Sequence, residues 1–473
     1  MSEELTKLSA TELAAMIRAR AVSPVEVVES HLRRIESLNP RLNAVVTHAS
    51  NALDMAREAE GKVMRGEGEG ALLGVPLTVK DTIETRGMRT TGGSKLRAGH
   101  VPRADAPSVA RLRAAGAIIL GKTNTSELAL EYNADNPVFG RTNNPHDETR
   151  TPGGSSGGCA AAVAACMTAG SLGSDLAGSV RVPAHFCGVV GFRPTAGRVP
   201  TAGHFPPVAG PYTLGASLGP LARSVEDVAM LYNVLAGRAS VEGATVEGAS
   251  SSRIEELRGL RAALFTDDGV APVTDETRDA VVRAADALKD AGLIVVDGRP
   301  PGFESATDIW LSLFSRETQR LVCSVYKGRE EEAGRAARLI IESAACSARP
   351  TLEDFLNAWG ERDRLRAALL EWMEATPLIV APVGAVTGLA HEGPKHFVVG
   401  EKKFGLFRAF GYAQASNIFD LPSVCVPAGR TSEGLPLGVQ IVGRPFEEER
   451  VLAAARVVEQ ASGGWQPPPD SNQ

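Results

Sequence analysis

The chain has 473 residues, of which 43% are apolar and 22% are charged, a composition typical of globular proteins that excludes global disorder. Fifty Lys and Arg residues oppose 56 Asp and Glu residues, so the net charge is −6, which argues against a dedicated nucleic-acid-binding protein. No run approaches the ~20 apolar residues of a membrane helix, and the first residues lack the apolar segment of a secretory signal. We therefore expect no nucleic-acid and no membrane partner.

The cysteines and histidines give no sign of a metal site or a disulfide framework. The six cysteines include no Cys-x-x-Cys pair, and the eight histidines show no ligand spacing. The segment 391–396 resembles a zinc-protease helix motif, but it is one residue too long and contains Gly-Pro. We predict no metal, no cofactor and a location in the reducing cytoplasm.

The first 70 residues are predicted to be helical. Ser23 and Glu26 match a capping box, with Pro24 at the first helical position. The elements predicted next, in chain order, are a strand at 75–79, a helix at 109–115, a buried strand at 117–120, a short helix at 124–131 and an Ala-rich helix at 159–169.

Strands and long helices alternate in the second half of the chain. The predicted strands are at 262–265, 293–297, 377–381, 423–426 and 437–442. The predicted helices are at 224–236, 274–291, 305–326, 351–374 and 446–461. This alternation predicts an α/β fold with a large mixed, mostly parallel sheet covered by helices on both faces. We expect a single domain over 1–462 and a disordered, Pro-rich tail over 463–473.

Two short motifs fit well-known patterns but lack the required context. Residues 116–123 match the P-loop pattern, yet Ala-Ile-Ile-Leu between the glycines favours a strand and not a phosphate-binding loop. Residues 153–157 match the G-x-S-x-G nucleophile elbow, but a polar, turn-like run precedes them where a strand is needed. A nucleotide site is not expected, and a Ser-His-Asp hydrolase stays open without support.

Three further features are candidates for chemistry. Lys80 ends an apolar strand, Ser155 and Ser156 lie in a double-glycine loop, and Ser179 follows in a second glycine-containing loop. Each has an ordinary structural explanation: a snorkelling lysine, a helix cap and a loop serine. The chain has 10 lysines and 40 arginines, so a lysine after a buried run is a weak sign of a base that must lose its proton.

Together these segments resemble the amidase signature family over nearly the whole chain, from about residue 5 to residue 462. The glycine-serine motifs are long and ordered, and Ser155 and Ser179 are separated by 24 positions. The segments that carry the resemblance are 79–81, 121–124, 153–158, 178–184, 186–188 and 434–440.

The resemblance implies an amidase that hydrolyses linear carbon–nitrogen bonds with a Ser-cisSer-Lys triad. Ser179 would be the nucleophile, Ser155 the bridging serine and Lys80 the base. A lysine with an ordinary pKa of ~10.4 becomes a base near pH 7 only if burial lowers its pKa by about 3 units. Ser155 would then relay a proton between Ser179 and Lys80.

The resemblance also assigns the neighbouring residues. It places the oxyanion hole at Leu176, Ala177, Gly178 and Ser179, where family members usually have glycine at position 177. Ser156 is a supporting residue, and Tyr132 is a candidate for substrate binding. Asp175 and Arg181 would buttress the loop as an ion pair, the alternative being ordinary surface charges.

The expected substrate is a small-molecule amide, hydrophobic or aryl, because loose similarity in 143–145 and 192–206 points to the type 2 fatty-acid-amide hydrolase branch. The candidates for the pocket lining in 301–410 are Trp310, Leu311, Phe314, Phe355, Trp359, Phe404 and Phe407, although most of them are expected to be ordinary core residues. The alternative is the A subunit of a glutamine-dependent tRNA amidotransferase, which usually carries Ser-Leu-Asp-Gln where this chain has Ser-Leu-Gly-Pro at 217–220. A silent binding protein is a third hypothesis, and a homodimer is a possible assembly.

Overall fold

The computed structural model describes residues 2–67, 70–236, 239–241, 244–246, 254–346 and 351–469. The strands are β1 (Val45–His48), β2 (Pro76–Lys80), β3 (Ile118–Thr123), β4 (Gly170–Asp175), β5 (Val190–Arg193), β6 (Ser217–Ala222), β7 (Ala239–Val241), β8 (Ala244–Val246), β9 (Arg261–Leu264), β10 (Ile294–Asp297), β11 (Leu378–Pro382), β12 (His396–Val399), β13 (Lys402–Gly405), β14 (Ser423–Arg430) and β15 (Pro436–Gly443).

The helices include short ones near the site and longer amphipathic ones on the outside. They are α1 (Ser2–Lys7), α2 (Ala10–Arg18), α3 (Pro24–Leu42), α4 (Ala52–Arg65), α5 (Pro107–Ala114), α6 (Gly157–Ala164), α7 (Arg181–Cys187), α8 (Val225–Ala236), α9 (Asp275–Asp290), α10 (Ala306–Trp310), α11 (Arg316–Val325), α12 (Arg335–Cys346), α13 (Leu352–Ala375), α14 (Leu406–Ala409), α15 (Gly411–Ile418) and α16 (Glu448–Ser462).

An 11-stranded mixed sheet forms the centre of the molecule, in the order β1-β3-β2-β4-β6-β5-β14-β15-β11-β9-β10. Its parallel pairs lie in two blocks, β3-β2-β4 and β11-β9-β10, and the strands between these blocks pair antiparallel. The prediction of an α/β fold with a large mixed sheet is confirmed. Of the ten described strand pairs in this sheet, four are parallel and six are antiparallel.

Helices cover both faces of this sheet. Along β14, Val424 and Val426 pack in one hydrophobic core, and Cys425 between them packs in the other. This alternation follows from the two-residue period of a strand, which points successive side chains to opposite faces. Helices α8, α9 and α16 contribute to the first core, and α7, α10 and α15 contribute to the second.

The local signals in the sequence have physical counterparts. Helix α3 begins with the predicted capping box, in which Ser23 and Glu26 satisfy each other's backbone N–H groups, and it carries Pro24 in its first turn. The P-loop-like segment forms strand β3, with Lys122 and Thr123 inside the strand. No helix in the described ranges has the length and apolarity needed to cross a membrane.

Three predictions of secondary structure differ from the structure. The first 70 residues are predicted to be helical, but residues 45–48 form strand β1, which pairs antiparallel with β3. The expected helix at 124–131 is a single 3₁₀ turn, because Leu128 and Ala129 adopt left-handed backbone conformations and the Ser126 side chain bonds to the backbone of Glu131. The expected helix at 305–326 is interrupted by a π-helical turn, 311–315, directly after Trp310. Such wider turns occur often near functional sites.

The prediction of a disordered tail over 463–473 does not hold for its first part. Residues 463–469 lie against the body, where the Arg223 guanidinium stacks 5.5 Å from the Trp465 ring and Arg430 donates to the Pro467 carbonyl at 3.3 Å. Residues 470–473 lie outside the described residues.

Candidate active site

The carboxyl ends of two neighbouring parallel strands position the first site residues. Lys80 is the last residue of β2, and β4, which pairs in parallel with β2, ends with Ser174 and Asp175. Parallel strands bring their carboxyl ends to one edge of a sheet, where α/β proteins form their crevices. Ser179 lies on the turn that joins β4 to α7.

Lys80 is fully buried and contacts two serine hydroxyls. Its Nζ lies 2.7 Å from Ser155 Oγ and 3.0 Å from Ser174 Oγ. Burial lowers the pKa of Lys80 to about 7, although the nearby Cys159 and Asp175 act to raise it. The lysine therefore holds a neutral amine in a substantial fraction of molecules near neutral pH, which is the form that can accept a proton.

The double-glycine loop brings Ser155 and Ser156 against the loop of Ser179. The Gly154–Ser155 peptide bond is cis. The Ser156 N–H donates to the Ser179 carbonyl at 3.1 Å, and the Ser156 hydroxyl lies 3.3 Å from the Ser174 backbone carbonyl. Ser155 and Ser179 both line the same cavity.

A buried ion pair holds the loop 175–180 in shape. Asp175 accepts from the N–H groups of Gly178 at 2.8 Å and Val180 at 3.0 Å. The Arg181 guanidinium donates to both carboxylate oxygens of Asp175, at 3.1 and 3.0 Å, and neither side chain is exposed. The alternative of ordinary surface charges is therefore wrong for this pair.

The predicted oxyanion residues separate into two groups. Leu176, Ala177 and Ser179 line the cavity. Gly178 does not belong to the lining, and its N–H donates a hydrogen bond to Asp175. Gly178 has φ +103°, and a Cβ there would lie 2.8 Å from Ala413 Cβ, so this position requires glycine.

Two aromatic side chains hold the carbonyl groups of the same loop. The Tyr132 hydroxyl donates to the Ala177 carbonyl at 2.7 Å and accepts from the Gln414 side chain at 3.0 Å. The Trp310 Nε1–H donates to the Leu176 carbonyl at 2.9 Å. These bonds fix the Ala177–Gly178 and Leu176–Ala177 peptide groups of the loop.

The cavity has a volume of about 140 Å³ and opens to solvent. Of the seven residues predicted from 301–410, Trp310 and Phe407 line it, and Phe314 and Phe404 are buried in the core. The prediction is wrong for the other three, Leu311, Phe355 and Trp359, which do not belong to the lining. The apolar lining consists of Leu128, Ala129, Leu130, Tyr132, Leu176, Ala177, Pro206, Val208, Tyr212, Ala216, Leu218, Trp310, Leu321 and Phe407.

The sequence motifs that resemble metal, nucleotide and nucleophile-elbow sites do not form such sites among the described residues. Within the described part of the chain, no three His, Cys, Asp or Glu residues cluster as metal ligands would. Lys122, the lysine of the segment that matches the P-loop pattern, is buried. Its Nζ donates to the Ile83 carbonyl and lies 2.7 Å from Thr85 Oγ1. The loop before Ser155 is irregular and not a strand, so the nucleophile-elbow context is missing.

Four polar residues of the site escaped the sequence analysis. Ser174 and His204 contact each other and line the cavity. On α15, Gln414 donates a hydrogen bond to the Tyr132 hydroxyl, and Asn417 donates one to the Asp175 carboxylate. Ser174 directly precedes Asp175, and Gln414 and Asn417 are three residues apart on one helix face. Only these weak spacing signals could have indicated them.

Comparison with known proteins agrees with this geometry. The Amidase family model matches residues 26–452. The chain belongs to the amidase signature family. The A subunit of a glutamyl-tRNA(Gln) amidotransferase from Caldanaerobacter subterraneus subsp. tengcongensis is 33% identical, over 97% of this chain and 97% of the relative.

Solved structures of amidase signature enzymes superpose over nearly the whole chain. A bacterial aryl acylamidase aligns with a TM-score of 0.86 and 28% identity, covering 96% of each chain. A fatty acid amide hydrolase aligns with a TM-score of 0.85 over 98% of this chain and 86% of its own. At 23% identity, this second likeness concerns the fold alone.

Proposed function

We propose that the protein hydrolyses a hydrophobic or aryl carboxylic amide through an acyl-enzyme on Ser179. Ser179 Oγ attacks the carbonyl carbon, its proton passes to Ser155, and the proton of Ser155 passes to Lys80. Lys80 then returns a proton through Ser155 to the leaving nitrogen, and the carbon–nitrogen bond breaks. Water hydrolyses the ester by the same route, which releases the acid and restores Ser179.

The contact between Lys80 and Ser155 carries this proposal. An ordinary serine hydroxyl is a weak nucleophile until a base removes its proton. Here the base candidate lies 2.7 Å from one serine of the cavity, and its pKa of about 7 suits proton transfer near neutral pH. Ser156, which ties the two serine loops together, is proposed as a supporting residue.

We assign the oxyanion donors to the cavity side of the loop 176–179. The N–H groups of Leu176, Ala177 and Ser179 are the candidates, because the N–H of Gly178 already donates to Asp175. Fixed donors of this kind stabilise the negative oxygen of the tetrahedral intermediate without reorganisation. Tyr132 would act both as cavity wall and as the anchor of this loop.

The cavity lining supports a hydrophobic substrate. Apolar side chains dominate the wall, and no lysine or arginine is among the described residues that line it. Glu131, whose pKa burial raises, is one of its acidic groups. A glutamine substrate carries an α-carboxylate, which proteins usually bind with arginine. An aryl or alkyl amide has no such requirement.

The second candidate is the A subunit of an amidotransferase, and the similarity to the A subunits of glutamyl-tRNA(Gln) amidotransferases favours it. Against it, the Ser-Leu-Gly-Pro stretch lies on β6, where Ser217 and Leu218 line the cavity. This candidate would work with partner subunits, whereas the free-standing amidase would work alone or as a homodimer. The six unpaired cysteines fit a cytoplasmic location for either one.

Labelling with a serine-directed fluorophosphonate, followed by peptide mass mapping, tests the proposed nucleophile. We expect the isolated chain to be labelled on Ser179 and to hydrolyse anilides and fatty amides faster than glutamine. Hydrolysis of glutamine alone, and only after addition of partner subunits, would establish the amidotransferase instead. Absence of label from the isolated chain would contradict the free-standing amidase.

The pH dependence of kcat/KM provides a second check. Below pH 7 Lys80 is increasingly protonated and cannot accept the proton, so activity is low in acid and rises through about pH 7. We expect about a tenfold gain per pH unit on the acid side and a plateau above the pKa. A profile that is flat between pH 5 and pH 9 would show that Lys80 is not the base.

A further inference from the structure

His204 lies in the cavity wall, outside the Lys80-Ser155-Ser179 triad, with both ring nitrogens in contact with neighbours. Nδ1 is 2.7 Å from the Pro206 carbonyl oxygen, and Nε2 is 3.0 Å from Ser174 Oγ. Ser174 Oγ in turn lies 3.0 Å from Lys80 Nζ. A continuous chain of contacts therefore runs from a backbone carbonyl through His204 and Ser174 to the amine of Lys80.

The chemistry of these groups sets the direction of each hydrogen bond. The Pro206 carbonyl only accepts, so Nδ1 of His204 carries the ring proton. Desolvation of the ring lowers the pKa of His204 to about 4, and Lys80 and Lys122 act in the same direction, so the ring is neutral and Nε2 has a free lone pair. The Ser174 hydroxyl therefore donates to Nε2, and its oxygen accepts from Lys80.

We infer that His204 is a positioning residue that, through Ser174, directs the lone pair of Lys80 towards Ser155. A neutral lysine has two N–H groups and one lone pair. Because Ser174 is committed to donating to His204, the Ser155 hydroxyl is the remaining described partner of Nζ that can donate to this lone pair. Proton transfer then begins with the Ser155 hydroxyl as the donor and the Lys80 amine as the acceptor.

Without His204 the Ser174 hydroxyl is free to turn. It would donate to the lone pair of Lys80, and Ser155 would have to accept from Lys80 instead of donating to it. This arrangement competes with proton removal from Ser155. It also adds a donor to the neutral form of Lys80, which lowers the pKa of the lysine because a hydrogen bond to the neutral form disfavours the charged one.

The test measures the rate of fluorophosphonate labelling of Ser179 against pH, because this readout needs no knowledge of the amide substrate. His204→Phe fills the space without an acceptor, and we expect it to lower the plateau rate about tenfold and to move the acid limb to lower pH. His204→Gln supplies a carbonyl acceptor and an amide donor, and we expect it to restore most of the rate and the position of the limb.

A double-mutant cycle separates positioning from a structural effect. In a Ser174→Ala background, His204→Phe should change neither the rate nor the limb, because the connection through Ser174 is already broken. His146→Phe is the matched control, since His146 is also partly buried, has a pKa lowered by burial to about 4 and contacts the Cys187 carbonyl at 3.0 Å away from the cavity. This control should leave the labelling profile unchanged.

The inference rests on the proposed function, and the outcomes distinguish the two. If Ser179 is labelled in the unmodified protein and the His204→Phe variant is labelled at the same rate with the same pH profile, the inference is overturned and the proposed function stands. Equal losses from His204→Phe with and without Ser174 would also overturn it. Failure of the unmodified protein to be labelled on Ser179 at any pH would overturn the proposed function and the inference with it.

Discussion

Ser179→Ala is expected to reduce turnover of an aryl amide by at least about 10⁴-fold, with no loss of folded protein. The change removes one oxygen from a small side chain that is 8% exposed at the cavity, so it disturbs little packing. It also removes the atom that forms the acyl-enzyme. The measurement is kcat for an anilide, with thermal unfolding of both proteins recorded in parallel.

Lys80→Met should lower kcat almost as much, because a nucleophile without its base is barely reactive. The double variant should be no worse than either single variant, since residues that act as a unit give non-additive losses. A double variant that loses the product of the two single effects would show that Lys80 and Ser179 act independently.

Lys122→Met is the matched control for the lysine. Lys122 is also fully buried on a strand of the same parallel block, and burial also lowers its pKa to about 7. Its Nζ contacts the Ile83 carbonyl and Thr85, however, and it does not reach the serines. Activity per folded molecule should therefore survive in Lys122→Met. Equal losses in both lysine variants would indicate a general effect of removing a buried charge.

The sequence predicted the apolar strands better than the strands that are rich in small residues. The apolar strands β9, β10, β11, β14 and β15 and most of the long helices lie within a few residues of their predicted positions. Strands β4 and β6, which lie beside the site, were missed, because they contain glycine and serine and lack the β-branched and aromatic residues that indicate a strand. A Cβ at Gly219 would lie 2.0 Å from the Phe192 carbonyl oxygen, so close packing dictates this composition.

The residues of the candidate site likewise divide into those that a local motif indicated and those that it did not. Lys80, Ser155 and Ser179 stand in ordered motifs and could be proposed from the chain alone, and the structure brings all three to one place. His204 and Gln414 reach the site only through the folding of distant segments, and neither belongs to a local motif. Long-range side-chain contacts of this kind carry no periodic signal along the sequence.

Asp175→Asn is expected to lower the free energy of unfolding by about 3–5 kcal/mol and to impair catalysis as well. The substitution leaves the Arg181 charge buried without a counter-charge. It also places an amide NH₂ where both carboxylate oxygens now accept, from Gly178, Val180, Arg181 and Asn417. Either orientation of the new amide therefore sets a donor against a donor, and the loop 176–180 loses its anchor.

Denaturant unfolding at several pH values measures this loss. Burial alone would raise the pKa of Asp175, but Arg181 and the donors around it hold the pKa well below its ordinary value. The ionised carboxylate therefore stabilises the fold fully above the unfolded pKa of ~3.9, and this stabilisation fades as the pH falls towards the folded pKa. The gap between Asp175→Asn and the unmodified protein should stay constant from pH 7 to pH 5 and narrow below pH 4.

Asp54→Asn supplies the comparison, because Asp54 pairs with Arg57 at 2.7 Å while 72% of its side chain is exposed. Water screens such a pair, so its loss should change stability by less than about 1 kcal/mol. If Asp175→Asn lost no more than Asp54→Asn, the buried pair would not be holding the loop. A stable Asp175→Asn protein that still hydrolyses amides normally would show that the oxyanion donors need no support from this carboxylate.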